Sequence, residues 1–464
     1  MIQKNMLHKI SLENSKLSEN DILAGTTVGG VGAYGGLRLK RPASIPLKPN
    51  APITIVHTDR GRGSGHFAQG EALSAELTRQ GIPNKLVNID DFAKPGKLTE
   101  FNNIFKKKLN SEIGDIPYGI KAIKYYTKGI DWEAFKKATQ GTQIVNMHAG
   151  MDTFLQSHVD SPIYTVHTDQ APFKYPNPSF QNRMGSFSQH IATETAAPIL
   201  AKEHPSLSSR ISVISELPIK PASGSERILP TGKYNITLSG GGLGLGVDDQ
   251  LEALLKTNLP NKAEIHVVTG HSGIKGNPAY DAQKLSRLND LKQVAEKRGI
   301  QVNIYGFKPL RQMMEEADLN IMRPGGTTIT EARATGKPFK LFLSDSLPKK
   351  DLSFRNTNAI NTLYKPVIES PVFISESNVA PLEEFFNNIS KQKAGYNKLK
   401  VAPNGGASDI VKIIRSKVVA KNTPTAMLSN KIGRMAAGSI AAASGGSYLT
   451  RNSETYKKWK KKRR

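Results

Sequence analysis

Short apolar, β-branched runs recur through the middle of the chain: Ile53 to His57, Ile144 to Met147, Ile163 to His167, Ile211 to Ile214, Asn235 to Ser239, Glu264 to Thr269, Gln301 to Tyr305, Leu319 to Met322 and Phe339 to Leu343. Several of the segments between them have helical periodicity. After the first run, Ala68, Ala72, Leu73 and Leu77 fall on one helical face, and Gly81 supplies a stop. Strands alternating with helices predict an α/β protein built on parallel sheet with crossover helices. The stretch Ser223 to Tyr234 is polar with Gly and Pro, which predicts a linker over residues 223–234 between two α/β domains, 51–222 and 235–418.

The flanks read differently. Residues 1–50 form an N-terminal extension whose polar start lacks the apolar core of a signal peptide. No segment reaches the ~18 consecutive apolar residues of a confident membrane span. Ile22 to Leu37 and Met435 to Leu449 are rich in small residues, above all Gly and Ala, and each precedes positive charge: Arg38, Lys40 and Arg41 in one case, the terminal KKWKKKRR in the other. Both suit either membrane contact or flexible tails, the second within a basic tail over 419–464.

Composition narrows the chemistry. The chain has 464 residues, 38% of them hydrophobic, enough for two or three domains around a large core. With no cysteine, disulfides, thiolate zinc sites and cysteine nucleophiles are excluded. A net charge of +25 favours anionic partners: phosphorylated substrates, anionic headgroups or nucleic acid.

Three glycine-bearing strand–helix junctions carry the candidate chemistry. In the first, Gly61, Gly63 and Gly65 precede His66; in the second, Gly240, Gly241, Gly242, Gly244 and Gly246 lead into a helix. In the third, Leu319 to Met322 stops at Pro324, and Gly325, Gly326, Thr327 and Thr328 open a helix. Glycines let a ligand approach the backbone, and the first N–H groups of a helix then face it as an anion site. Glu331, one turn in, is placed to reach a sugar hydroxyl beside a bound diphosphate; equally, Thr328 and Glu331 match a capping box that needs no ligand. His66 reads either as a general base or as a histidine that hydrogen-bonds its loop. The first loop lacks dinucleotide spacing, which disfavours NAD.

With these junctions placed, about residues 52 to 415 resemble glycosyltransferase family 28, which contains monogalactosyldiacylglycerol synthases, processive diacylglycerol glucosyltransferases and the peptidoglycan GlcNAc transferase MurG. GRGSGHFAQGEALSAEL is similar to the family's first loop and helix, ITLSGGGLGLG to its second-domain loop, and VNIYGFKPLRQMMEEADLNIMRPGGTTITEARATGKPFKL to its donor-nucleotide region. IVNMHAG and YTVHTDQAPF sit where the lipid-galactosyl enzymes have paired strand ends. In ISELPIKP, Glu216 stands where glycine is usual, while Leu217, Pro218, Ile219 and Pro221 are kept.

The resemblance implies a GT-B fold, two Rossmann-like parallel-sheet domains facing each other across a cleft, with terminal extensions. It implies an inverting, metal-independent hexosyltransferase that uses a UDP-sugar as co-substrate and no other cofactor. The first domain would bind a membrane-associated, lipid-type acceptor and the second the donor; the enzyme would be cytoplasmic and peripheral to the membrane. His66 matches the catalytic base. Gly325, Gly326, Thr327 and Thr328 match the diphosphate loop, Gly241 and Gly242 the loop facing it, Gly306 and Phe307 the base edge, and Glu331 the ribose ligand. Gly65, His148 and Asp169 fall on the acceptor side. Where the family has a Gln-Glu pair and then Asn-Ala on the donor hexose, this chain has Phe354 and Arg355, with Asn358 and Ala359 kept. That departure leaves a second outcome open: a catalytically degenerate protein that binds a nucleotide sugar or an anionic surface.

Lys94 to Lys137 interleaves lysines with Phe105, Tyr118, Tyr125, Tyr126 and Trp132. The mixture suits an anionic bilayer interface first, an ordinary amphipathic insert second, and nucleic acid third.

Overall fold

The apolar runs become the strands of two parallel sheets. The computed structural model describes residues 51–58, 65–109, 115–172, 188–222, 224, 226–275, 280–345, 352–368 and 371–420. The N-terminal extension, the tail beyond 420, and Gly61 and Gly63 of the first loop lie outside the described residues.

The first sheet comprises β1 (Ile53–His57), β2 (Asn84–Asn88), β3 (Gln143–Asn146), β4 (Ile163–Val166), β5 (Gln189–Thr193) and β6 (Ile211–Ile214), ordered β2-β1-β3-β4-β5-β6. The second comprises β7 (Tyr234–Ser239), β8 (Ala263–Val268), β9 (Gln301–Tyr305), β10 (Leu319–Met322), β11 (Phe339–Phe342) and β12 (Phe373–Ile374), ordered β12-β11-β10-β7-β8-β9. Helices of the first half are α1 (Gly65–Arg79), α2 (Lys97–Leu109), α3 (Asp115–Lys124), α4 (Trp132–Thr139), α5 (Asp152–His158) and α6 (Ala196–Glu203). Those of the second are α7 (Val247–Leu255), α8 (Ala282–Lys297), α9 (Leu310–Glu316), α10 (Gly326–Thr335), α11 (Leu352–Tyr364), α12 (Ala380–Asn387) and α13 (Ile389–Lys398), followed by α14 (Ala407–Ala420).

The central strands β1, β3, β4, β8, β10 and β11 are buried along their whole length, as strands covered by helices on both faces must be. In the first sheet the strand order reverses between β1 and β3, and in the second between β7 and β10. The loops leaving the carboxyl ends of strands at such a reversal open a crevice, the usual ligand position in open α/β sheets.

Both halves belong to one unit over the described residues from Ala51 to Val411; the rest of α14, from Lys412, belongs to a second. The predicted linker is anchored rather than loose. The Ile228 and Leu229 amides donate to Glu316 Oε2 at 2.8 and 2.7 Å, and Leu229 is buried. After α13 the chain returns to the first half: Gly406 N donates to Leu217 O (3.2 Å), Ile219 N donates to Asn404 O (3.3 Å), and Ser408 Oγ donates to Glu76 Oε1 (2.9 Å).

The lysine–aromatic insert differs from its bilayer expectation. Phe101, Tyr125, Tyr126, Trp132 and Phe135 form a buried cluster with Met151 and Phe154. Phe101 stacks on Tyr125 at 4.3 Å, and Trp132 Nε1 donates to Tyr126 O at 2.8 Å. Phe105 and Tyr118 are half-buried against the same helices. The rings therefore serve packing, while Lys94, Lys97, Lys106, Lys107, Lys121, Lys124, Lys128 and Lys137 stay exposed. Helical periodicity separates two residue types that the linear sequence interleaves.

Candidate active site

A cleft of about 290 Å³ opens where the loops after β1, β4, β7 and β10 converge. Gly65, His66 and Gln69 from α1 line one wall, with Thr168 and Asp169 after β4. The opposite wall is the Gly240–Leu243 turn after β7, Arg323 to Thr328 after β10, and Ser353 and Asn356 from α11.

The start of α10 is built from the sequence upward. β10 ends at Met322, Pro324 cannot donate in a ladder, and the first intrahelical bond runs from Ile329 N to Gly325 O (2.9 Å). The amides of Gly326, Thr327 and Thr328 therefore have no intrahelical acceptor. Gly325 is the N-cap and provides no side-chain cap. Thr328 lies inside the helix, so the Thr328–Glu331 capping box anticipated from sequence does not form. What remains is a ring of N–H groups at the positive end of the helix dipole, with Arg323 beside it.

The turn after β7 faces this helix start. Gly241 N donates to Ser239 Oγ (3.1 Å), and a Cβ on Gly241 would lie 3.9 Å from Thr328 Oγ1. Gly244 closes the turn with φ +61°, and a Cβ there would come within 1.8 Å of Thr269 O, so only glycine fits. Behind it, Gly270 N donates to Gly306 O at 3.2 Å. Phe307 follows, 63% exposed, its ring 5.7 Å from that of His271.

From the first half, His66 stands with Nδ1 3.4 Å from Thr58 Oγ1 and its ring edge-to-face with His148, centroids 4.6 Å apart. Gln69, on the same face of α1 as His66, donates from Nε2 to Thr168 O (3.0 Å) and to Thr327 Oγ1 (2.8 Å). Asp169 Oδ1 accepts from Gly326 N (3.2 Å) and Asn356 Nδ2 (3.0 Å). Burial pushes the Asp169 carboxyl up to about 6, against the opposing effects of Asn356, the Gly326 amide and Arg323. Beneath the cleft, the buried Glu216 carboxylate accepts from Thr330 Oγ1 (2.8 Å) and pairs with Arg333 of α10 and Gln170.

The residues singled out in the sequence divide accordingly. Gly65, His66, Asp169, Gly241, Gly242, Gly325, Gly326, Thr327 and Thr328 meet at the cleft, and His148 touches it through His66. Gly306 and Phe307 do not line the cleft: Gly306 accepts from Gly270, which packs on the Gly241–Gly242 backbone, and Phe307 is exposed beyond it. Glu331 is on α10 but does not line the cleft; burial pushes its carboxyl up to about 7, with Arg311 opposing. The anticipated donor-sugar set on α11 is out of register. Arg355 pairs with Glu203 of the first half at 2.9 Å, Asn358 is exposed and Phe354 is half-buried outside the lining. Ser353 and Asn356, three positions apart, present the face that does line it. Sequence reasoning also passed over Gln69, Thr168 and Arg323. The helical offset of Gln69 from His66 was a readable signal; the others needed the fold.

No family model and no curated protein matches the sequence. The fold does recur among solved structures. Arabidopsis thaliana UGT89C1 complexed with UDP-L-rhamnose is similar at TM-score 0.51 and 10% identity, over 80% of this chain and 99% of that one. An E. coli trehalose-6-phosphate structure bound with UDP-2-fluoro glucose is similar at TM-score 0.51 and 11% identity, over 79% and 99%. Trehalose-6-phosphate synthase OtsA is similar at TM-score 0.50 and 12% identity, over 79% and 99%. The two parallel sheets and the cleft between them are the GT-B fold.

Proposed function

We propose that this chain transfers a hexose from a UDP-sugar to an acceptor held by its first half. The observation that carries the reading is the convergence, at one cleft, of the start of α10, the Gly240–Leu243 turn, Arg323 and His66. Glycosyl transfer builds negative charge on the departing diphosphate, and fixed amide dipoles with one arginine stabilise it without reorganisation. His66 on the opposite wall is the base that takes the acceptor hydroxyl proton. UDP-L-rhamnose and UDP-2-fluoro glucose in structures of the same fold support a UDP-sugar donor here.

The finer reading follows the family 28 resemblance: inversion at the anomeric carbon, no metal, Gly306 and Phe307 at the base, Glu331 at the ribose, and a lipid-type acceptor. The exposed lysines of the α2–α4 insert support peripheral attachment to an anionic membrane surface. Among the described residues no helix is long and apolar enough to cross a membrane. UDP-glucose, UDP-galactose and UDP-GlcNAc are to be screened for protection against heat unfolding, then for UDP release in the presence of lipid extract. One donor is expected to protect and turn over, with His66→Ala losing turnover at least a hundredfold while still binding UDP. If none of them raises the melting temperature, the donor assignment is wrong.

A second reading, a nucleotide-sugar binder that has lost transfer, is favoured by Arg355, which is engaged with Glu203 where the family's hexose contact is expected. Protection by a UDP-sugar without turnover on any acceptor extract selects it.

A further inference from the structure

The anion position at the start of α10 is occupied by a group of the protein itself. Asp169 Oδ1 accepts from Gly326 N at 3.2 Å, which puts a carboxylate on the first N–H of the helix. The contact belongs to a close approach of two backbones. A Cβ on Gly326 would lie 2.4 Å from Thr168 O and 2.7 Å from the Asp169 Cα. Asn356, itself buried, braces the carboxylate: Nδ2 donates to Asp169 Oδ1 and to Pro324 O, both at 3.0 Å, and Oδ1 accepts from Ala171 N at 2.8 Å.

We propose that Asp169 is a charged gate on the donor site: its carboxylate takes the helix-start amide that a donor diphosphate needs, so a donor enters only by displacing it. The inference rests on the nucleotide-sugar reading above and adds regulation to the same site. Two physical arguments support it. A carboxylate and a diphosphate compete for the Gly326 N–H and for the same helix dipole, so both cannot be fully seated at once. The gate is also held at a cost, because the half-buried carboxylate at the cleft wall has its proton affinity raised by burial, which makes it readily displaced by a more highly charged anion. Displacement separates Thr168 and Asp169 from Gly326, and this couples donor entry to widening of a cleft whose volume of about 290 Å³ is at the small end for a ligand of this size.

The test titrates the full chain with UDP, and separately with inorganic pyrophosphate, in the unaltered protein, Asp169→Asn and Asp169→Ala. A competing gate lowers apparent affinity by the fraction of molecules that are open. Asp169→Ala is expected to bind UDP roughly tenfold more tightly than the unaltered chain. Asp169→Asn, whose amide oxygen still accepts from Gly326 without charge, falls between them. Near-isosteric Asp169→Asn keeps the test valid if the alanine variant folds poorly. Equal gains in the two variants mean simple charge repulsion and overturn the seat on Gly326. No gain with either probe overturns the gate outright. A gain for pyrophosphate with no UDP binding in any variant keeps the gate and overturns the nucleotide reading instead.

Discussion

Glu331 is half-buried on α10, with burial raising its carboxyl to about 7 and Arg311 only partly offsetting that rise. An unfolded glutamate titrates near ~4.3. Between those values the folded protein binds the proton that the unfolded chain has released, so this residue's contribution to stability grows as pH falls through about 7. Above it, the ionised carboxylate is a burden that folding must carry. Glu331→Gln is therefore expected to melt higher than the unaltered chain at about pH 8, with the difference fading towards about pH 5. Thermal melts of both proteins across that range check it; a difference independent of pH contradicts the assignment. If the carboxylate also holds the ribose, UDP affinity drops in the same variant.

At the scale of elements, α10 shows what a strand–turn–helix junction contributes and how tightly it is fitted. Adding one methyl at Gly326 puts it against two backbone atoms of the first half, Thr168 O at 2.4 Å and the Asp169 Cα at 2.7 Å. Neither can rotate away as a side chain would. Gly326→Ala is expected to lower unfolding free energy by about 1–3 kcal/mol, the range for overpacking, as read by denaturant titration.

This junction was legible in the sequence because strand, proline, paired glycines and helix follow one another within a few residues. The fully buried strands were legible for the same reason. β2 and β5 were not: NKLVN and QHIAT are mostly polar, and β12 has two residues, too short for any period. The cleft-facing side of α11, Ser353 and Asn356, was not legible because a motif alignment fixes positions along the chain, whereas the helix decides which of them turn inward. The insert was legible only in composition, its aromatic and lysine residues being mixed in order and separated in space.

Across the whole molecule, the two halves are joined beneath the cleft by Glu216, which is completely buried. It follows β6 in the first half and pairs with Arg333 of α10, 117 residues away, with Thr330 and Gln170 adding hydrogen bonds. Sequence comparison marked Glu216 as a departure from glycine, but nothing local identified its partner. Glu216→Gln strands the Arg333 guanidinium in a buried site and is expected to destabilise the protein by about 3–5 kcal/mol. Replacing both partners, as Glu216→Leu with Arg333→Met, is expected to recover much of that loss in denaturant titration. A single variant as stable as the unaltered chain contradicts the pairing.

The return of the chain after α13 has a mechanical consequence. Leu217 to Ile219, leaving the first half, and Asn404 to Gly406, coming back to it, run side by side and bond to each other. The second half is thus tied to the first twice on one edge, by an outgoing and a returning segment that pair antiparallel. Rotation about that edge is opposed at the cleft by Gln69 on Thr327 (2.8 Å) and Asp169 on Gly326 (3.2 Å), so these two latches are what an opening of the cleft has to release.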